Sequence, residues 1–308
     1  MSSHYFSARA LEDFNKARGR ETFSRILSVL TNEKDNLLSL QEVKALLRPA
    51  TETYRGLRTV AIDKIIGSEG RYQDFNRFFL PRHSRLKSRW VRVGMAHHQQ
   101  INLPPVTLYE IGGVYFVRDG NHRVSVAKMQ NVEFIDAEVI SLESRLPLKP
   151  GMTRAQMHSA VIALEKREFF KHTRLDQLRP EVSMEFSATG RYDEIIRHIN
   201  GHKYYMNLSQ REEISFEEAM LSWYDMVYTP IIQLIGEQHI LRSFRGRTAA
   251  DLYVWIVRRW DELKKKYGQE FPLKKAARDY TERYGHPRGG LLAGISGILK
   301  RVFSRGNR

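Results

Sequence analysis

The 308-residue chain contains no cysteine. Disulfides, thiolate nucleophiles and cysteine-held zinc or iron–sulfur clusters are therefore excluded, which restricts chemistry more than compartment. It also lacks an apolar run of the length that a bilayer crossing requires. Its first residues, MSSHYFSARALEDF, do not follow the basic-then-apolar layout of a secretory leader. The expectation is a cytoplasmic protein without stable membrane insertion. Acidic residues are in short supply: 35 Asp and Glu against 50 Lys and Arg leave a formal charge of +15. A surplus of that size suits polyanionic partners such as nucleotides or nucleic acid, and it also suits an ordinary basic surface. No repeat of solenoid period and no heptad pattern is present.

What the chain does contain is the composition of a folded protein, 42% hydrophobic and 28% charged, with length for one large domain or two modest ones. Residues 1–56 read as a helical lead-in that packs on the next domain. Leu11, Phe14, Phe23, Ile26, Leu27 and Leu30 recur at near-helical spacing, and Leu40–Leu47 continues after the polar break at 31–35. Residues 57–145 alternate strand and helix signals. Thr59–Ile62 is a short apolar stretch, and Val106–Ile111 and Val114–Arg118 are rich in β-branched and aromatic residues around a Gly112-Gly113 hairpin. A helix is predicted from Asn121 through Lys128, and Phe134–Ile140 alternates with Ile135, Ala137 and Val139 on one face. Leu146–Gly151, with Pro147 and Pro150, reads as a linker. Residues 151–285 are helical in pattern, with Pro230 expected to kink or end one helix, and 286–308 form a basic, glycine-rich tail. The fold class expected is α+β: a small mixed-sheet domain between a helical lead-in and an all-helical C-terminal domain.

The strongest local signal is the stretch Asp119-Gly120-Asn121-His122-Arg123, where a strand ends in a glycine and a helix opens at once. Such a junction leaves backbone N–H groups unpaired at the helix start, where the dipole favours negative charge. Gly120 allows close approach, Arg123 offers a forked donor, and His122 offers a second donor when protonated. Asp119 suits this setting if it orients Arg123 or His122, binds Mg²⁺, or accepts a proton. The same residues also suit an ordinary turn in which Asp119 caps the helix.

This stretch resembles the second box of the ParB/sulfiredoxin family, a Gly-x-[His/Arg]-Arg turn that follows a strand and opens a helix. The order around it fits too: an opening strand with Ile62-Asp63-Lys64-Ile65, then Leu103-Pro104-Pro105-Val106 entering a strand, the box, and a closing strand at Phe134–Ile140. The whole chain is similar to a group of bacterial ParB-like proteins that join Ile-Gly-Ser-x-Gly-Arg-Tyr, here Ile66–Tyr72, to this box and a helical C-terminal half. The resemblance implies a ParB/sulfiredoxin-like fold for 57–145. Sulfiredoxin activity is excluded, because that family's cysteine is replaced by Asn121. ParB partition proteins bind a nucleotide, close as a clamp and hold DNA through a following helix-turn-helix, for which no good candidate follows residue 142. A free-serine kinase of this fold uses a carboxylate where Asp119 stands, and other members are reported as nucleases.

Beside the box, Ser68, Glu69, Gly70 and Arg71 read either as the other wall of a phosphate pocket or as a flexible loop with a capping serine. Arg82, Arg85, Lys87, Arg89 and Arg92 run without an acidic residue between them and suit either a nucleic-acid backbone or a solvated helix face. Trp90 within that run reads as a core anchor. His198 and His202 share a helical face, but with only Glu194 as a third ligand no metal site is expected. Two functions follow. In the first, the chain is a DNA-associated regulator that holds a nucleoside triphosphate with Mg²⁺ on Gly120, Asn121, His122, Arg123, Ser68, Gly70 and Arg71, with homodimer formation set by nucleotide state. In the alternative, it is a phosphotransferase or nuclease with Asp119 as base or metal ligand, Glu69 as second carboxylate and His122 stabilising charge. A scaffold with a vestigial pocket is the third reading.

Overall fold

The computed structural model describes residues 2–31, 35–208 and 212–285, so the expectations for the 286–308 tail and for 32–34 lie outside the described residues. The chain divides into two compact units, Met1–Val161 and Ile162–Arg308, at a point inside the helix Arg154–Thr173 rather than in the 146–151 stretch. The fold class is α+β, a mixed-sheet unit followed by a helical one.

The first unit is built on six strands: β1 (Leu38–Ser39), β2 (Glu52–Ala61), β3 (Ile65–Ser68), β4 (Val106–Ile111), β5 (Val114–Asp119) and β6 (Phe134–Leu142). They lie in the order β1-β3-β5-β4-β6-β2. Gly112 and Gly113 both have positive φ, at 61° and 90°, which a two-residue hairpin of the right twist demands. In β6, Ala137 and Val139 are buried while Asp136 and Glu138 are exposed, the predicted alternation.

Helices α1 (Ser2–Thr31), α3 (Lys87–His98) and α4 (Asn121–Met129) contribute Phe14, Trp90 and Val124 to the core on one sheet face. On the other face, α2 (Leu40–Leu47) and the start of α5 (Arg154–Thr173) contribute Leu40 and Met157. Strand β5 is buried on both sides, Phe116 in one core and Val117 in the other. Trp90 is the anchor its sequence context suggests: its indole N–H donates to Ser125 Oγ at 2.9 Å, and that hydroxyl donates to the Phe79 carbonyl.

Three local expectations are corrected. The opening strand is not a short piece around Thr59–Ile62; β2 is ten residues long, and Ile62–Lys64 is a 3₁₀ turn between it and β3. Its polar stretch gave no alternation because β2 is an edge strand, solvated along most of its length. Ile66–Ser68 is strand rather than loop. Its Gly67 is needed because a Cβ there would overlap the Phe116 ring and the Leu38 carbonyl. In α1 the buried face is Ala10, Phe14, Ala17 and Glu21, whereas Phe23, Ile26, Leu27 and Leu30 are exposed. Small residues were the signal: a Cβ at Gly94 of α3 would sit 3.2 Å from Ala10 Cβ.

The helical unit contains the rest of α5 with α6 (Leu175–Leu178), α7 (Arg191–Asn207), α8 (Phe216–Trp223), α9 (Thr229–Glu237), α10 (Ala249–Tyr267) and α11 (Leu273–Tyr284) around Trp223, Tyr228 and Tyr253. Ser215 with Glu218 and Thr248 with Asp251 form capping boxes that start α8 and α10. Pro230 does not end the helix: a π turn over Tyr224–Tyr228 joins α8 directly to α9, and the proline, which cannot donate an α-type hydrogen bond, follows immediately after that turn.

Candidate functional site: the start of helix α4

Strand β5 delivers the chain to Gly120, whose φ of +100° is left-handed. A Cβ at this position would lie 2.5 Å from Val106 Cγ1, so both the conformation and the close packing against β4 require glycine. Helix α4 begins at Asn121, and no side chain caps it. The first-turn N–H groups therefore lack the partner that Ser, Thr or Asp usually supplies.

Asn121 is only 8% exposed, yet its Oδ1 has no hydrogen-bond partner. His122 Nδ1 is likewise buried and unpartnered. The His122 ring packs edge-on against Phe75, 5.5 Å between centroids. Burial, then the charges of Arg89 and Arg71, push the imidazole down to a pKa of about 4, with Asp74 opposing weakly. His122 is thus neutral at pH 7, not the protonated donor that the sequence suggested. The two arginines that discourage its charge make the same spot favourable for an anion.

Arg71 is half-exposed and donates to Asp74 Oδ2 at 2.9 Å, while Arg85 donates to Asp74 Oδ1 at 2.7 Å. Burial works against the charged form of Asp74, but the hydrogen bonds and charges of Arg71 and Arg85 outweigh it and hold the carboxyl below its ordinary range. Ser68 is not on a pocket wall. It is fully buried, with its hydroxyl donating to the Val117 carbonyl and accepting from Arg71 N–H. Gly70 is exposed, with open space around its α-carbon. Glu69 lies beside Tyr109, whose phenol is raised by burial and then by the Glu69 charge. None of the described contacts joins Glu69 to Asp119 or His122.

Arg123 has a different role from the one expected. One terminal nitrogen donates to the carbonyls of Pro104 and Pro105, and the other donates to Asp119 Oδ2 at 2.6 Å. This clasp ties the helix start to the segment entering β4, and orientation of Arg123 is the role that Asp119 visibly fills. A base or metal-ligand role for Asp119 would first require its release from Arg123. Among the described residues no group of three or more His, Asp or Glu could hold a metal ion. The side chains alone therefore do not fit a protein-held Mg²⁺, and a magnesium ion arriving with a triphosphate would be bound chiefly by phosphate oxygens.

The basic run also separates. Arg82 is committed to Asn36 and to the carbonyl and carboxylate of Asp35, and Arg85 to Asp74. Lys87, Arg89 and Arg92 stand exposed on α3 without a carboxylate partner among the described residues. In the helical unit, His198 Nδ1 lies 3.1 Å from the Tyr253 hydroxyl and His202 Nε2 lies 3.0 Å from Ser222 Oγ, while Glu194 is held by Arg191 and Arg258. Asp74 and Phe75 are the neighbours that sequence reasoning missed. Only the turn locked by Asn76, whose side chain accepts from Phe78 and Leu80 N–H, brings them over His122.

No family model and no curated protein matches the sequence. Among solved structures, a Pnob8-like ParB-N domain is similar to this chain, with a TM-score of 0.21 and 12% identity over 76% of this chain and 98% of that one. At that TM-score the likeness carries no argument about fold, ligand or activity.

Proposed function

We propose that this chain binds a phosphate-bearing ligand, a nucleotide, at the start of α4, and acts as a DNA-associated regulator. The observation that carries this reading is the uncapped helix start combined with two buried polar atoms, Asn121 Oδ1 and His122 Nδ1, that have no partner. Leaving such groups unpaired costs about 1–3 kcal/mol each, so a ligand that pairs them is favoured. The helix N–H groups would donate to phosphate oxygens, with Arg89 and Arg71 supplying charge. The neutral His122 would donate from one ring nitrogen, and the Asn121 amide would meet a polar group of the same ligand. The Arg123 clasp keeps the turn in place rather than touching the ligand. Nucleic acid would be met by Lys87, Arg89 and Arg92, leaving Arg82 and Arg85 as structural residues.

Calorimetry and thermal shift of the full chain with ATP, CTP, GTP and pyrophosphate, each with and without Mg²⁺, test the reading. At least one nucleotide should release heat and raise Tm, because a ligand of the native state alone stabilises it by about 2.7 kcal/mol at a hundredfold excess over Kd. Arg89→Ala should weaken it about tenfold. Absence of heat and of stabilisation with every nucleotide would overturn the proposal.

A further inference from the structure

Helix α4 has a second chemical feature at its opposite end. There Lys128 and Met129 border a cavity of 980 Å³, formed with the second half of α1, residues 61–63, Phe78, Leu80 and residues 132–134. Its walls carry Phe23, Phe78 and Phe134, each more than half exposed to solvent. Three large aromatic side chains left open around one concavity are unusual for a surface with no partner.

Two cations face the same space. Lys128 Nζ donates to the Ile65 carbonyl at 3.0 Å and lies 5.2 Å from the Phe79 ring centre. An ammonium has three donors, and this contact uses one. Burial pushes its pKa down to about 8, with only the charge of Asp63 opposing. Arg20 has the sulfur of Met129, 3.7 Å away, as its hydrogen-bond partner. Neither cation is in a salt bridge among the described residues. The other charged groups around the cavity are Asp63 and Glu133, both exposed, and Arg77, which pairs with Asp35 at 3.7 Å.

Charge and shape together select a ligand. A neutral apolar molecule would desolvate Lys128 further without pairing it, which is costly. A cation would meet repulsion from Lys128 and Arg20. A small polar anion would leave the three aromatic walls in water. We infer that this cavity binds a small amphiphile with an aliphatic or aromatic body and a single carboxylate, the carboxylate at Lys128 and Arg20 and the body against Phe23, Phe78 and Phe134. The site is separate from the nucleotide site and stands whether or not that one does.

Three probes with one body, decanoate, decanol and decyltrimethylammonium, separate the contributions in calorimetry on the full chain. Decanoate should bind about tenfold more tightly than decanol, and decyltrimethylammonium should not bind. Lys128→Met should weaken decanoate about tenfold while leaving decanol unchanged, and Phe78→Asp should weaken both. Because Lys128→Met also removes the bond to Ile65, a second readout uses the native side chain. With ¹³C-labelled lysine incorporated, the Lys128 Cε resonance should titrate near pH 8 in the free protein. With decanoate its midpoint should rise by about one unit, as an adjacent anion favours the ammonium. Equal affinity for decanoate and decanol, failure of decanoate to bind, or an unmoved Lys128 midpoint would overturn the inference.

Discussion

Two half-buried histidines, one in each unit, show how similar burial can serve different ends. Both His122 and His198 have pKa values lowered first by burial. The neighbours of His198 complete it: Tyr253 lies at hydrogen-bond distance and itself accepts from the Trp223 indole at 3.0 Å. Glu194 and Asp261 partly offset the burial and come ahead of Arg258 and Arg197, which add to it. The neighbours of His122 do the reverse, since Arg89 and Arg71 add to the burial and Nδ1 has no partner. A satisfied histidine is part of a core. An unsatisfied one beside two arginines, at an uncapped helix start, is shaped for something that brings negative charge.

The largest effect that would sharpen this contrast comes from Gly120→Val, which puts a β-branched residue at φ +100° and forces a Cβ within 2.5 Å of Val106. Strain and overpacking together should cost on the order of 3–5 kcal/mol, measured by urea unfolding, and nucleotide binding should vanish with the turn. A smaller loss separates the histidines. His198→Leu leaves the Tyr253 hydroxyl without the partner that His198 Nδ1 supplies, while the Trp223 indole still donates to it, and should cost about 1–3 kcal/mol. His122→Leu removes a buried nitrogen that has no partner and should leave stability at pH 7 unchanged or raise it by up to about 1–3 kcal/mol, while weakening nucleotide binding. If both substitutions cost the same, the contrast is wrong.

Acid supplies a third test. Because the folded pKa of His122 lies near 4 and the unfolded value near 6.5, the unfolded chain binds the extra proton first. Stability from this residue is complete above pH 6.5 and is lost as pH falls from there toward 4, by on the order of 2 kcal/mol. His122→Leu should flatten that part of the pH–stability curve. The smallest effect concerns Lys87, Arg89 and Arg92. Each change to Ala should leave Tm nearly unchanged and reduce the slope of log K for DNA against log salt by about one unit. Unchanged slopes would remove α3 from the nucleic-acid reading.

How much of this was legible beforehand follows from the range of the interactions. The hairpin at Gly112-Gly113, the alternation of β6 and the helix opening at Asn121 are local, and they could be read from neighbouring residues. Strand β2 was half-missed because its edge position frees its side chains from alternation. The two-residue β1, parallel to β3, had no periodicity to reveal it. Glycines made Ile66–Ser68 look like a loop, although Gly67 is there to admit Phe116. The turn of the candidate site was visible, but its partners were not: Pro104 and Pro105 hold Arg123 from nearly twenty residues away, and Asp74 holds Arg85 across the bend at Asn76. Whether an arginine is free or already engaged depends on such contacts, and residue order alone does not disclose it.

The most direct measurement is the titration of the His122 ring by NMR, assigned by comparison with His122→Gln, in the absence and presence of a magnesium nucleoside triphosphate. The account predicts a midpoint near pH 4 for the free protein and a clear upward move with nucleotide, as the added negative charge offsets Arg89 and Arg71. A midpoint near 6.5 in the free protein, or one that ignores every nucleotide, would contradict it.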